Sequence, residues 1–297
     1  MEKGRKTWFD ELIRNNLVEK GFGPFDYRMG SETYSMYYSR EAFTAFVQEM
    51  GLCHSHHHNR YLNGQGSELL ETKTPPKMAS VASSSRFAYL ALRWGAQAIG
   101  GTDCVEFEHE CRVKGIRGTA PQLDAYTKDE QGNPIYVEVK CHEIFDPHVI
   151  ELSTAYWEHI YGEQNAFGFP RKEKKSEEEK IQIPLNQFGI TKEHSMMDVK
   201  QLLCHLMGIA SQKERTQPAT LVYLFFRPLA TGDDGLAVEK IFTKLIAQID
   251  QVFRSKPIRS FCHAHKIDLK VAVEEAAIME RLTENNIGCL YDYPHRI

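Results

Sequence analysis

The sequence lacks an apolar run long enough to cross a bilayer, and no signal-peptide core follows its first residues. These two absences argue against a membrane protein and against a secreted one. The expectation is therefore a soluble cytoplasmic protein with no membrane partner. Its 297 residues, 42% of them hydrophobic, are enough to build one large domain or a core with an appended lobe.

Cysteine pairs with metal-ligand spacing are also absent, because no two cysteines form a CxxC motif. Their number is odd and their positions are scattered. This argues against a disulfide framework and against a cysteine-based zinc site. The seven cysteines are Cys53, Cys104, Cys111, Cys141, Cys204, Cys262 and Cys289.

A positive net charge is missing too. The formal net charge is -4, so the chain has no bulk attraction to nucleic acid. Any phosphate-binding surface would have to be a local basic patch. The residues that could form such a patch, or that could be ordinary solubilising charges, are Arg86, Arg93, Arg112, Lys114 and Arg117.

Apolar periodicity predicts helices and strands along most of the chain. Residues 1–78 are predicted to be an N-terminal helical extension that ends in a loop over 51–78, and residues 79–297 to be the core. The predicted helices lie at 7–18, at 39–50, from the N-cap Ser83 to Gly95 or Gly100, and at 146–165, 196–212 and about 236–254. The predicted strands lie at about 104–113, 121–128, 135–142 and 220–226. A mixed-charge loop is expected at 170–183, and a final strand or helix pair after residue 254.

From Ser83 onward the predicted order is a helix, three strands, a helix and a strand. A strand meander with helices before and after it predicts an α/β (α+β) fold with a mixed central sheet covered on both faces. Residues 221–226 show no polar alternation, so they are predicted to form a central strand that is buried on both sides.

Acidic residues occur in phase on two of the predicted strands, on either side of a turn at residues 132–134. Alternate side chains of a strand share a face, so Glu138 and Lys140 point the same way. If the hairpin pivots near Gln131, Asp124 lies opposite Glu138. Two carboxylates so close repel each other unless a positive group lies between them. The pattern predicts a divalent-cation site beside Lys140.

In these residues the chain resembles the PD-(D/E)XK nuclease superfamily, which has the restriction-endonuclease-like fold. The resemblance covers about residues 83–230 and depends on Asp124, on the Glu138-Val-Lys140 triplet and on the α-β-β-β-α-β order. It implies a nuclease in which Asp124 and Glu138 hold one or two Mg²⁺ ions, with Mn²⁺ as an alternative. Lys140 would align the attacking water and neutralise charge on the phosphate.

The resemblance also implies a polar residue on the helix that follows the third strand. Gln201 stands in that place, in an arrangement similar to the Gln-x-x-x-Tyr pattern of RecB-type and lambda-type exonucleases. Here His205 replaces the tyrosine. The alternative for Gln201 is an ordinary position on the polar face of an amphipathic helix.

The sequence departs from the family in its first helix, because residues 84–97 contain no acidic side chain. Glu68, just before that helix, could fold back and replace the missing carboxylate. Glu106, Glu108 or Glu110 on the first strand could also do so. We favour Glu68 and Glu108 as additional metal ligands, with ordinary surface charge as the alternative.

A run of histidines over residues 53–58 is the other candidate metal-binding feature. Neighbouring imidazoles can bind zinc or nickel. Adjacent residues on a strand face opposite ways, however, and a structural site usually needs ligands from elsewhere. The run is therefore interpreted as a solvated loop.

The resulting hypothesis is a Mg²⁺-dependent deoxyribonuclease whose partner is DNA and which could act as a homodimer. The alternative is a non-catalytic nucleic-acid-binding or assembly protein that keeps the nuclease fold. The missing helix carboxylate and the acidic net charge favour that alternative.

Overall fold

The computed structural model describes residues 2–63, 68–118, 120–146, 148, 150–174, 180–191, 195–212 and 217–274. Within these ranges the chain is a mixed α/β protein. The helices are α1 (Glu2–Glu19), α2 (Arg40–Cys53), α3 (Ser55–Asn63), α4 (Ser84–Leu92), α5 (Trp157–Ile160), α6 (Val199–Gln212), α7 (Gly232–Arg254) and α8 (Lys256–His265). The strands are β1 (Phe25–Met29), β2 (Glu32–Tyr38), β3 (Glu106–Glu110), β4 (Gln122–Lys128), β5 (Pro134–Lys140), β6 (Glu151–Ser153), β7 (Lys180–Gln182), β8 (Ala219–Phe226) and β9 (Ile267–Glu274).

The central sheet, as far as the described residues show it, has five strands in the order β3-β4-β5-β8-β9. The strands from β3 to β5 are antiparallel, whereas β8 is parallel to both β5 and β9. A parallel neighbour needs a crossover connection, and α6 lies in the connection from β5 to β8. The order from α4 to β8 is therefore a helix, three strands, a helix and a strand, with short additional elements between β5 and α6.

Two local predictions are confirmed by specific contacts. The side-chain oxygen of Ser83 caps α4 by accepting a hydrogen bond from the backbone N–H of Arg86 at 3.2 Å. Strand β8 lies between two other strands and is buried along nearly all of its length. Its continuous apolar run thus reflects cover on both faces of the sheet.

Other local predictions are wrong. Residues 51–78 are not one loop, because α2 continues to Cys53 and α3 follows it. Residues 146–165 are not one helix: they contain β6, which pairs with β7, and α5 is a single helical turn. The β1–β2 hairpin was also not predicted. For β6, pairing with a segment distant in sequence outweighs the local helical pattern.

The end of the chain is only partly described. After residue 254 the chain forms both a helix, α8, and a strand, β9, which lies at one edge of the sheet. Residues 175–179 of the predicted mixed-charge loop, and Cys289, lie outside the described residues. In the ranges given above, no helix combines the length and the apolar character needed to span a membrane.

A continuous hydrophobic core joins the sheet to the helices. Phe87 of α4 stacks on Phe226 of β8, with ring centroids 4.2 Å apart. The N-terminal helix also takes part, because Phe9 of α1 stacks against Phe242 of α7 at 6.5 Å. The N-terminal extension therefore packs directly on a helix of the core.

Gly208 of α6 allows the helix to approach the chain that follows β3. A Cβ atom at this position would overlap the backbone carbonyl of Cys111. We expect Gly208→Ala to lower the free energy of unfolding by roughly 1–3 kcal/mol, because backbone atoms cannot move aside as cheaply as a flexible side chain. Urea unfolding measures this change.

Gly4→Ala in α1 is the control, because a Cβ atom there would have no neighbour within 4 Å. The better helix propensity of alanine predicts a neutral or slightly stabilising effect. If Gly208→Ala were as stable as the wild type, the close approach of α6 to this backbone would be contradicted.

Candidate functional site

The two predicted acidic residues meet where β4 and β5 separate. The strands pair as far as Ala125 and Val137, and continuing this register brings Asp124 next to Glu138, as predicted. The backbone pairing ends at Ala125 and Val137. Past this point, Oδ2 of Asp124 accepts a hydrogen bond from the backbone N–H of Val139 at 2.6 Å. The Asp124 carboxylate is therefore held in the gap between the two strands.

Lys140 binds Glu138, two residues earlier on the same face of β5. Nζ of Lys140 lies 2.6 Å from Oε1 of Glu138, and the two side chains are 14% and 4% exposed. Burial lowers the pKa of Lys140, but the carboxylates of Glu138, Glu143 and Asp124 outweigh this effect and raise the pKa above its ordinary value. Lys140 is therefore a charged ammonium at neutral pH, surrounded by carboxyl groups.

Glu108 extends the row of acidic residues onto β3. The pairs on either side of it in the β3–β4 register place Glu108 across from Asp124. Its φ of 53° lies in the left-handed region, which residues other than glycine rarely adopt. Burial raises the pKa of Glu108 to about 7, and the charges of Glu68 and Glu138 add to this effect.

Glu68 comes from the segment before α4 and is only 6% exposed. Nζ of Lys77 lies 3.5 Å from Oε1 of Glu68. Burial nevertheless raises the pKa of Glu68 above its ordinary value. Because Glu68 is the strongest charge that raises the pKa of Glu108, the two carboxyl groups interact. We refer to Glu68, Glu108, Asp124 and Glu138 as the acid cluster.

The other two glutamates of β3 form ion pairs outside this cluster. Glu106 binds Arg60 of α3. Oε1 of Glu110 lies 2.7 Å from Nη2 of Arg112. Each of these two carboxylates thus has an arginine partner. Of the three glutamates that the sequence left as alternatives, Glu108 is therefore the one that joins the acid cluster.

Helix α6 places His205 against Glu138. Nε2 of His205 lies 3.8 Å from Oε2 of Glu138 and donates a hydrogen bond to the carbonyl of Gln122 at 3.1 Å. Burial lowers the pKa of His205, so the ring is a neutral imidazole at physiological pH. Gln201 lies one turn earlier on α6 and is half-buried. Its catalytic role stays a prediction, and the residue that α6 brings to Glu138 is His205.

Two tyrosines that the sequence did not indicate border the acid cluster. Tyr61 is 1% exposed and donates a hydrogen bond to the carbonyl of Ser85 at 3.2 Å. Burial raises its pKa well above the ordinary value, with Glu108 as the next cause. Tyr223 of β8 lies beside Glu138 in the register of the two strands. Both occupy apolar positions of their elements, so no sequence signal separates them from ordinary core residues.

Arg86 of α4, one of the basic residues that the sequence left as either phosphate contacts or ordinary surface charges, has a structural role instead. Arg86 is 4% exposed, and its guanidinium donates to the carbonyls of Met78 and Val81 at 2.9 and 3.2 Å. Arg93 likewise packs over aromatic rings. Phosphate contact from Arg86 is not supported, because its side chain is buried, whereas Arg93 is half-buried against these rings. The exposed members of the predicted set are Arg112, Lys114 and Arg117.

The histidine run belongs to helices and is not a solvated loop. His57 packs on Phe107 with ring centroids 4.8 Å apart, and His54 lies 4.4 Å from Trp94. Burial lowers the pKa of His57 to about 4, so this ring is neutral at physiological pH. The two rings therefore contribute to packing between the helices and the sheet.

The donor chemistry of the acid cluster fits a hard divalent cation. Its four carboxyl groups face only two ammonium groups, those of Lys140 and Lys77. Burial raises the pKa of Asp124 well above its ordinary value, with Glu138 as the next cause. Oxygen ligands and excess negative charge are what Mg²⁺ prefers. In the present side-chain positions, no three His, Cys, Asp or Glu residues of the described ranges converge as ligands of one ion. Binding would therefore require the carboxylates to reorient.

No protein-family model, curated protein or solved structure matches this chain. The function proposed for the protein therefore depends on the geometry and charge of the acid cluster.

Glu108→Gln is expected to stabilise the protein at neutral pH. Folding raises the pKa of Glu108 from its ordinary 4.5 to about 7, so between these values the folded state keeps a proton that the unfolded state loses. This makes wild-type stability fall as the pH rises from 4.5 to about 7. The variant should gain roughly 1–3 kcal/mol in free energy of unfolding at about pH 8, and much less near pH 4.5.

Urea unfolding over this pH range, with a chelator present, measures the effect. Glu110→Gln is the matched control, because this glutamate lies on the same strand in an ion pair with Arg112. It should leave the pH dependence unchanged. A gain from Glu108→Gln that stayed constant with pH would show that the pKa of Glu108 is not raised.

Proposed function

We propose that this protein is a metal-dependent deoxyribonuclease of the PD-(D/E)XK type. The observation that carries the proposal is the meeting of Asp124 and Glu138 from neighbouring strands, with Nζ of Lys140 2.6 Å from Glu138. Such a set can hold a cation and a phosphate side by side. DNA is the proposed substrate, as the resemblance to the nuclease superfamily implies.

The topology supports a restriction-endonuclease-like core. The antiparallel meander β3-β4-β5 follows α4, and β8 joins β5 in parallel after α6. This is the element order that the resemblance requires. In this topology Asp124, Glu138 and Lys140 lie where β4 and β5 separate. Side chains, and not paired backbone groups, fill the space between the two strands there.

Asp124 and Glu138 would hold Mg²⁺, with Glu108 and Glu68 as additional carboxylates. When bound, Mg²⁺ supplies positive charge that activates a water molecule and offsets charge on the phosphate. The raised pKa values of Asp124 and Glu108 mean that both carboxyl groups retain protons more strongly than usual. Because ligands must be deprotonated, cation affinity should increase as the pH rises.

Lys140 would align the attacking water and donate a hydrogen bond to a phosphate oxygen. Its ammonium has three donors, and one of them goes to Glu138, so two are left for water and phosphate. A fixed positive charge in a buried site stabilises developing negative charge more strongly than one in water. His205 lies on the side of the second oxygen of Glu138, opposite the ammonium contact on Oε1.

The second candidate is a non-catalytic binding or assembly protein with the same core. Two observations favour it. Helix α4 carries no acidic residue, and no three ligands converge on one point within the described ranges. Binding to nucleic acid or protein that needs no metal, and that Asp124→Asn leaves unchanged, would support this candidate.

Lys140→Ala is expected to reduce DNA cleavage by roughly 10²–10³-fold, because it removes the charge that stabilises the phosphate in the transition state. Purified protein is incubated with plasmid and with linear DNA in Mg²⁺ or Mn²⁺, and products are followed over time. Lys128→Ala, an exposed lysine at the end of β4, is the control and should keep full activity. Absence of wild-type cleavage in both metals would count heavily against a nuclease. Equal cleavage by Lys140→Ala would reject the assigned site.

Asp124→Asn is expected to weaken Mn²⁺ binding by at least about tenfold, since it removes a charged ligand from the centre of the acid cluster. Calorimetric titration measures this without knowledge of the substrate. Asp268→Asn, an exposed aspartate of β9, is the matched control. Wild-type affinity in the Asp124→Asn variant would place the cation elsewhere or rule it out.

A further inference from the structure

Tyr223 lies directly behind the acid cluster. It pairs with Glu138 in the parallel register of β5 and β8, so the two side chains lie on the same face of the sheet. The residue is only 2% exposed, and its ring packs near Phe225 and Phe253, with centroids 6.3 and 6.1 Å away. The ring itself is thus an ordinary core group, and the question is what its hydroxyl does.

The hydroxyl of Tyr223 is fully buried, and within the described part of the chain no protein group is in hydrogen-bond distance of it. The same holds for Nδ1 of His205, on the helix that covers this face. An unsatisfied buried polar atom costs about 1–3 kcal/mol. A phenylalanine would fill the same space without that cost, so the hydroxyl needs a partner that the described residues do not supply.

The donor and acceptor roles of the two groups are complementary. Nε2 of His205 faces the carbonyl of Gln122, which only accepts, so Nε2 carries the proton and Nδ1 is an acceptor. Burial is the main cause that raises the pKa of Tyr223 well above its ordinary value, and the charges of Glu138 and Asp198 add to this effect. The hydroxyl therefore stays protonated and can donate. Both groups lie beside Glu138, Tyr223 through the register of the two strands and His205 with its Nε2 3.8 Å from Oε2 of Glu138.

One water molecule satisfies this arrangement. It can accept a hydrogen bond from the hydroxyl of Tyr223 and donate one to Nδ1 of His205. Buried waters typically make roughly two to four such bonds. The bridge would fix the ring of His205 so that Nε2–H stays directed at the carbonyl of Gln122, 3.1 Å away, and the ring stays against Glu138, with Nε2 3.8 Å from Oε2.

We propose that Tyr223 is a positioning residue, which acts through an internal water and His205 to hold Glu138 in its orientation within the acid cluster. The metal-related part of this role depends on the proposed function. The hydrogen-bonded arrangement itself does not. Removing a residue that orients a metal ligand, but touches neither metal nor substrate, typically changes metal affinity by roughly 10–100-fold.

The test is Tyr223→Phe, which removes a single oxygen atom and keeps the packed ring. Nitrogen-15 spectra of the histidine side chains report the proton position and hydrogen bonding of His205. We expect its Nδ1 signal to move in the variant, and Mn²⁺ affinity measured by calorimetry to fall about tenfold.

Tyr136→Phe is the matched control, because Tyr136 is also a buried tyrosine of the sheet, with its ring centroid 5.2 Å from that of Tyr126. It should change neither the His205 signal nor Mn²⁺ affinity. An unchanged His205 signal in Tyr223→Phe would overturn the bridge, whether or not the protein is a nuclease. A shifted signal with unchanged Mn²⁺ affinity would overturn the link to Glu138. If wild-type protein bound no Mn²⁺, the proposed function would fail and the metal-related role with it, whereas the spectra would still decide the bridge.

Discussion

The buried ion pair between Lys140 and Glu138 is the interaction on which the rest of the site depends. Charges are costly to bury unless a partner and further hydrogen bonds compensate, and here the pair keeps Glu138 in the interior beside Asp124. The ammonium groups of Lys140 and Lys77 do not balance the four carboxyl groups of the acid cluster, so protons or a cation must complete the charge. Asp124, Glu108 and Glu68 accordingly have raised pKa values. Strongly perturbed carboxyl groups in one place are a physical mark of a functional site.

The connection from β5 to β8 determines what lies behind these charges. Because β8 is parallel to β5, the chain must cross over the sheet, and α6 does so with Gly208 against the backbone of Cys111. This close approach carries His205 to Glu138. The same topology sets Tyr223 next to Glu138 on the neighbouring strand. Strand order and helix packing thus supply the surroundings that give the motif its electrostatic character.

Predictions for individual residues were correct where the two-residue alternation of side chains along a strand sets the geometry. The alternation of side chains along a strand and the length of the turn were enough to place Asp124 beside Glu138, with Lys140 on the same face. They were not enough to choose between Glu106, Glu108 and Glu110, which share a face in any regular strand. The left-handed backbone of Glu108 and the arginine partners of the other two make that choice. The path of the segment before α4, which brings Glu68 to Glu108, has no local signal.

By itself the sequence determined the strands of the meander, the cap of α4, the buried character of β8 and the phase of the acidic motif. Each of these depends on side chains within a few residues of one another, through periodicity and local hydrogen bonding. The tertiary structure alone decided that residues 146–165 contain a strand and that His54 and His57 pack against aromatic rings. It also decided that Tyr223 and His205 lie behind Glu138. These features depend on burial and on charges from segments far apart in the chain, which no local pattern encodes.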